Sequence, residues 1–546
     1  MKITQSFKKG LLFGLPILGV TALSVGVAVP LVTQQNNKVA LSSNNYSKTS
    51  QVVGWDQHRQ YLNRNEVSIL ISIQQNNDYI KQFLSNLIQK NPQFINFFRT
   101  VSTPPSIGNI EAGTGWMLDY SVDPKNSDDV TYYLATNIHV LALAYNVEFK
   151  NAMGQTLKFT IPVNQNSASN LNLYISQPQG HLQSKYDNTE LDSYVNNPQY
   201  WNDAWYKLGN YDVINLGALN DTNSQSFQAS FEFSANGHSL SGQVDNNFNL
   251  TSESQLLNNL SQQPTKVAQD ISILKTTIPS NKPIMPNYFT ENLQYGNNNF
   301  KEVYPNDPEN IKLKQEYESI NQMFNTKTSL ENVNENSSYI TKLRYLNEQI
   351  QNKKITKDEL KTLFPFAKID NVESLIVGGF PGFNEPNGPS GTKFSVGNVL
   401  KNEIKQEKAS RSFIYFNDHG QLKYVLYDAN NNRFLDLQLL TPGSSGSMAI
   451  NQNNQIVGIL WGGAGTQYNI VTPLFNNPKS NLVYKFLKYQ NEHDKNSQLL
   501  KLFTGLYNYK TDEKADTNQA NTNKNNDNLS YQLSPLSIEN YYGWYY

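Results

Sequence analysis

The chain has 546 residues, a formal net charge of -1 and no cysteine. Disulfides, thiolate nucleophiles, Fe–S clusters and Cys-based zinc sites are therefore excluded. Only 16% of residues are charged and six are histidine, so neither a nucleic-acid surface nor a His-rich metal centre is expected. No metal or cofactor is implied, and any catalysis falls to hydroxyls, carboxylates or single histidines.

Lys2, Lys8 and Lys9 precede a charge-free, mostly apolar run from Leu11 to Val32, about 33 Å long as a helix and able to cross a bilayer. Its length favours an uncleaved anchor, while the small residues Gly26 and Ala28 leave a cleavable signal open. Only Lys38 follows soon after, so the N-terminus is expected inside and the body outside. The expected location is the extracellular face of the cell membrane, or the medium if residues 1–33 are removed.

Residues 34–60 read as a polar tether. Over 61–100, Ile80, Phe83, Leu84, Leu87 and Ile88 recur at helical spacing and predict a helical segment. From 101 to 280 the texture is short apolar runs such as Tyr132–Ile138, divided by Gly, Pro and Asn turns, with a long polar insertion at about 150–260. Helical period returns in a linker over 281–370, in IKLKQEYESINQMF, YITKLRYLNEQI and KDELKTLF. Strand texture resumes over 371–480, including Leu375–Val377, then a helix is expected over 481–510 and a low-complexity tail over 511–546. The tail ends in Tyr541-Tyr542-Gly543-Trp544-Tyr545-Tyr546, which is either an arm docked on the body or a partner-binding tag. The fold class is mainly β with helical insertions.

Chemistry concentrates in two places. Thr441-Pro442-Gly443-Ser444-Ser445-Gly446-Ser447 puts glycines around a serine, where the backbone can turn sharply and aim two N–H groups at one point. A strand follows it, so an α/β-hydrolase elbow, which needs a helix there, is disfavoured. Gly113-Thr114-Gly115-Trp116 and Tyr133–Val140 form the other signal, two strands of which the second delivers His139. Asp270 opens the apolar strand Ile271–Leu274, with Asp212 in Tyr211–Leu216 as its competitor. The order His139, Asp270, Ser445 is that of the chymotrypsin-like proteases.

At these residues the chain resembles the trypsin-like serine peptidases. Ala135-Thr136-Asn137-Ile138-His139 is similar to the family's [TS]-A-x-H block, with Asn137 where Ala is common. Asp270-Ile271-Ser272-Ile273-Leu274 is similar to D-[IL]-A-[LV]-[LI], and Gly443–Ser447 to G-[DN]-S-G-[GS], with Ser444 in the variable position. Ile459–Gly463 resembles the strand on which substrate backbone pairs, and Val377–Gly382 the G-[YF]-P element of the second barrel. The resemblance implies two six-stranded-type β-barrels, over 101–280 and 371–480. Within that group GTGWMLDY, YLATNIHV and GSSGSMA, on an Asn-rich and cysteine-free chain, resemble the mycoplasma immunoglobulin proteases.

That resemblance implies a surface serine endopeptidase. It implies protein substrates, host immunoglobulin heavy chain among them, and an immunoglobulin-binding partner that captures the antibody. It assigns Ser445 as nucleophile, His139 as general base, Asp270 as its orienting carboxylate, and the N–H groups of Gly443 and Ser445 as the oxyanion hole. Leu439, Thr441, Leu460, Trp461, Gly462 and Gly463 would bind substrate. Leu460 stands where glutamyl endopeptidases carry a His, which argues against an acidic P1 residue and for an apolar or small one. The other function considered is a trypsin-fold surface binding protein or adhesin without activity.

Overall fold

The computed structural model describes residues 57–58, 61–62, 65–73, 76–108, 110–123, 126–163, 171–176, 206–218, 225–261, 269–279, 333–337, 339–369, 372–380, 395–401, 404–406, 411–418, 420–428, 433–435, 443–464, 468–474 and 482–517. The apolar run 11–32, the helix expected around 311–324 and the aromatic C-terminus lie outside them. Among the described residues no helix is long and apolar enough to cross a membrane.

The structure is mainly β with a few helices, its described strands forming four antiparallel sheets. The first has seven strands in the order Tyr206–Lys207, Leu171–Ser176, Glu66–Ile73, Ile110–Asp123, Asn126–Thr136, Ser272–Pro279 and Tyr211–Ile214. The second has six, built on the hairpins Ala144–Lys150/Thr156–Pro162 and Ala229–Ala235/His238–Val244. The third has seven and comes from the later half of the chain, with Ser374–Gly379, Met448–Asn451, Ile456–Ala464 and Tyr468–Pro473 side by side. A small fourth sheet joins Gln225–Phe227 to the hairpin Arg411–Asp418/Gln421–Asp428.

Side-chain alternation explains the pairing. In Thr156–Pro162, Leu157, Phe159 and Ile161 point inward while Lys158 and Thr160 stay half-exposed, the period of two that buries one face of a sheet. One apolar core runs through the first and second sheets and reaches Ile376, Met448, Ile450 and Ile459 of the third. A smaller core, with Leu375, Val377, Val399 and Val471, lies on the third sheet's other face. The helix Asn77–Lys90 buries Ile80, Phe83 and Leu87, and Phe83 meets Phe159 edge-on at 5.8 Å between ring centres.

Three expectations need correction. The helical segment over 61–100 contains a strand, Glu66–Ile73, before its helices Asn77–Lys90 and Phe94–Phe98. The β-branched apolar residues Val67, Ile69, Ile71 and Ile73 recur at every second position, and that period outweighs the helical spacing downstream. The polar insertion at about 150–260 is not merely an insert, because it supplies three of the four inner strands of the second sheet, Thr156–Pro162, Ala229–Ala235 and His238–Val244. The single helix over 481–510 is two, Leu482–His493 and Gln498–Thr517, broken at Asp494–Ser497.

That break is held by the first sheet. Asp119, buried in Ile110–Asp123, accepts from Leu499 N at 2.9 Å, from Gln490 Nε2 at 2.9 Å and from Ser497 Oγ. It thereby caps the last helix from another element. Burial raises its carboxyl to about 6, against the pull of these donors. Asp494 accepts from Tyr133 Oη at 2.6 Å on the neighbouring strand. The helical extras are thus bolted to the back of the strand pair that leads to His139.

Candidate active site

His139 stands where Asn126–Thr136 ends. Thr136, Asn137 and Ile138 are wholly buried, so the chain cannot drift outward, and a single 3-10 turn, His139–Leu141, begins at the histidine. Asp270 arrives by register. Ser272–Pro279 pairs with the histidine strand so that Ser272 lies opposite Thr136, which brings the residues just before Ser272 alongside those just after Thr136. Asp270 Oδ2 lies 2.5 Å from His139 Nδ1, Oδ1 accepts the His139 N–H at 3.2 Å, and its backbone carbonyl accepts from Asn137 Nδ2 at 2.6 Å. Asp270 is 1% exposed and His139 6%.

A second turn locks the aspartate from behind. Gly217 N donates to Ile271 O at 2.7 Å and Gln269 N to Gly217 O at 3.2 Å. A Cβ on Gly217 would sit 1.6 Å from Gln269 O, so only glycine permits this approach. Asp212, the competing carboxylate, lies elsewhere. It is mostly exposed on Tyr211–Ile214, 3.9 Å from Lys275 Nζ. The carboxylate engaging Nδ1 fixes the ring's orientation and leaves Nε2 as the nitrogen able to accept a proton.

The serine loop comes from the third sheet. Gly443 and Gly446 have φ of 98° and 93°, the left-handed region that a side chain disfavours. Gly446 N donates to Leu460 O at 2.7 Å and Ser447 N to Ser444 O at 3.0 Å. Among the described residues the N–H groups of Gly443 and Ser445 make no hydrogen bond. Ser445 is half-buried, and its Oγ donates to Trp461 O at 3.3 Å. No hydrogen bond joins it to His139 among the described residues.

Thr114 stitches the two halves together. Its N–H donates to Ser445 O at 2.8 Å and its Oγ1 to Gly443 O at 3.2 Å, while Phe380 N donates to that hydroxyl at 2.9 Å. Thr136, three residues before His139, donates to Thr114 O at 2.7 Å. Gly379 and Gly446 make the close fit possible. A Cβ on Gly379 would meet Ser447 Oγ at 1.8 Å, and one on Gly446 would meet Thr114 O at 1.9 Å. The histidine strand and the serine loop are therefore in hydrogen-bonded register without touching through their reactive atoms.

The expected substrate-binding residues divide. Leu439 and Thr441 lie outside the described residues. Leu460 is buried, Trp461 nearly so and Gly462 half-buried on Ile456–Ala464, and the Gly463 backbone pairs with Asn469. The ladder shifts between Leu460 and Gly462, a bulge that leaves Trp461 out of register next to Ser445.

Sequence reasoning did not single out Glu66, Gly217 or Asn417, and met Gly379 only within the Val377–Gly382 block. Glu66 is wholly buried, and its Oε1 accepts from Met448 N, three residues past the serine. Burial pushes its carboxyl well above the ordinary glutamate range. The only local hint was a glutamate opening an otherwise apolar alternating strand. No group of three or more His, Asp or Glu side chains gathers among the described residues.

The family model described as mycoplasma immunoglobulin protease matches residues 57–462. No curated protein matches the chain.

Proposed function

The chain belongs to the mycoplasma immunoglobulin protease family, and we propose that it is a serine endopeptidase with Ser445, His139 and Asp270 as its triad. The observation that carries this reading is the Asp270–His139 pair at 2.5 Å, on strands tied through Thr114 to the Ser445 loop. The first and third sheets, meeting at that seam, serve as the two barrels of a trypsin-like arrangement.

In this mechanism Ser445 Oγ leaves Trp461 O by a side-chain rotation and is deprotonated by His139 Nε2 as it attacks the scissile carbonyl. Asp270 holds the ring in the tautomer that makes this possible and stabilises the imidazolium that forms. The N–H groups of Gly443 and Ser445 receive the oxyanion, each such donor supplying roughly 3–4 kcal/mol of barrier reduction. The amine leaves with the proton from His139, and water then repeats the cycle on the acyl-enzyme. Trp461–Gly463 pairs with the substrate backbone. Apolar or small residues suit the P1 position beside Leu460, with Leu439 and Thr441 completing its wall.

The substrate is protein, and immunoglobulin is the first to test because the family description names it. The heavy chain, presented by an immunoglobulin-binding partner, is the reading taken here, with the enzyme held at the cell surface by residues 11–32. Incubating the full-length protein with immunoglobulin, with and without such a partner, and sequencing the fragment ends tests it. Cleavage of denatured casein but never of immunoglobulin would reject the substrate while keeping the peptidase.

One observation favours a binding protein that does not cut, namely that Ser445 Oγ donates to Trp461 O and not to His139. Giving up one neutral hydrogen bond to rotate the hydroxyl costs about 1 kcal/mol, so this resting bond does not block attack. Reaction with a fluorophosphonate separates the two.

A further inference from the structure

The hairpin Arg411–Asp418/Gln421–Asp428 lies in sequence between Ile404–Gln406 and Arg433–Leu435, which pair with each other in the third sheet. It leaves that sheet and crosses to the first half of the chain. Gln421–Asp428 pairs with Gln225–Phe227, and Arg411–Asp418 packs against the turn that begins at His139.

At the hairpin tip Asn417 is buried with its amide fully used. Nδ2 donates to Leu143 O at 2.9 Å and to Val163 O at 2.8 Å, and Oδ1 accepts from Gly420 N at 2.9 Å. Leu143 closes the histidine turn with φ of 52°, a left-handed conformation that costs a leucine roughly 1–2 kcal/mol and persists only where neighbours impose it. Its carbonyl is held twice, by Asn417 and by Val163 N at 2.9 Å. Inside the turn Leu141 N donates to Ile138 O at an ordinary 3.1 Å, and the last bond, Ala142 N to His139 O, stretches to 3.4 Å. The turn is therefore defined by its two ends. Asp270 grips the ring, and Asn417 grips the exit.

We propose that Asn417 is a positioning residue for His139, and that the hairpin over 411–428 is the strut through which the later half of the chain sets the angle of the base. The proposal rests on the reading of His139 as that base. Two carbonyl oxygens facing one side chain require two donors, and the third group, Gly420 N–H, requires an acceptor. Among side chains of this size only an asparagine amide supplies all three. Aspartate has the same shape but sets a carboxylate against two carbonyl oxygens. Alanine leaves the Val163 carbonyl without this donor and the Leu143 carbonyl held by Val163 N alone, which loosens Leu143 and turns the peptide planes between it and His139.

The test is phosphonylation by a rhodamine-tagged fluorophosphonate, which separates the maximal rate from reagent affinity. It compares wild type with Asn417→Asp, Asn417→Ala and Asn417→Ser, each well below its melting temperature. A displaced base lowers the maximal rate on the order of 10- to 100-fold, the scale of a misplacement of about 1 Å. Reagent affinity stays within about twofold, and Asn417→Ser, which keeps one donor, falls between wild type and Ala. Wild-type maximal rates in folded variants with lowered Tm would make Asn417 a structural brace only and overturn the proposal. If Asn417→Asp does not fold, the Ala and Ser variants decide by the same two readings. Absence of reaction in wild type removes the base itself, and both readings with it, whereas wild-type rates in the variants remove this one alone.

Discussion

Thr114 N donates to Ser445 O at 2.8 Å, across the seam between the first and third sheets. The bond fixes the serine by its own backbone, so the position of the proposed nucleophile depends on a strand that precedes it by more than half the chain. The Thr114 hydroxyl adds contacts to Gly443 O and from Phe380 N. Replacing Thr114 by Val keeps the shape and the backbone bond but removes both hydroxyl hydrogen bonds. A loss of about 1–3 kcal/mol in stability is expected, with the rate of fluorophosphonate reaction reduced by about tenfold. Urea denaturation and labelling kinetics check both.

Glu66 supports the same loop from below. Glu66→Leu leaves the Met448 N–H buried and unpaired and should cost about 1–3 kcal/mol. Glu66→Gln keeps the acceptor and should be within about 1 kcal/mol of wild type. The raised carboxyl also has a sign. The folded protein keeps this proton after the unfolded chain has lost it, so stability falls as pH rises above the ordinary glutamate range. Glu66→Gln removes that slope, which denaturation at a series of pH values would detect.

Lys342 gives the opposite slope. It is 1% exposed, with Nζ 4.5 Å from the Tyr61 ring centre and 3.5 Å from Asn454 O. Burial lowers its ammonium to about 7 despite the pull of Glu335. From there up to the ordinary lysine range the unfolded chain holds a proton that the folded one has released. Stability should therefore rise with pH by about 1.4 kcal/mol per unit between roughly pH 7 and 10. Below pH 7 the full cost of the buried charge remains. Lys342→Met should flatten the rise and be more stable than wild type at pH 6. A slope unchanged by the substitution would show that Lys342 is not its source.

Much of the site was legible because its parts are local. Gly-Ser-Ser-Gly-Ser announces a turn with left-handed glycines, and Gly443 and Gly446 have that backbone. An aspartate two residues before Ser272 opens an apolar strand and a histidine three after Thr136 follows another, and antiparallel pairing in that register brings them together. What stayed hidden is long-range. Nothing near Asn417 in the sequence points to the carbonyls of Leu143 and Val163, and Gly217 and Gly379 matter only for what another segment places against them. In the fold, Glu66–Ile73 was obscured because strand alternation and helical spacing follow one another over a few residues.

The two carboxylates separate cleanly by substitution. Asp270→Asn keeps the size of the side chain but takes away the carboxylate that fixes the ring, a change that costs on the order of 10⁴ in kcat in serine peptidases. Asp212→Asn, at an exposed strand position, should leave the rate within about twofold. Active-site titration followed by turnover of a cleaved peptide measures both. Comparable losses in the two variants would contradict the assignment of Asp270.

The proposed mechanism stands or falls with Ser445 as the nucleophile. The direct measurement is intact-mass analysis after fluorophosphonate treatment, with peptide mapping of the modified residue, on wild type, Ser445→Ala and His139→Ala. One adduct per chain is expected, on Ser445, abolished in Ser445→Ala and slowed by at least about 10³-fold in His139→Ala. A folded wild-type protein that takes up no adduct, or takes it up on another residue, would contradict it.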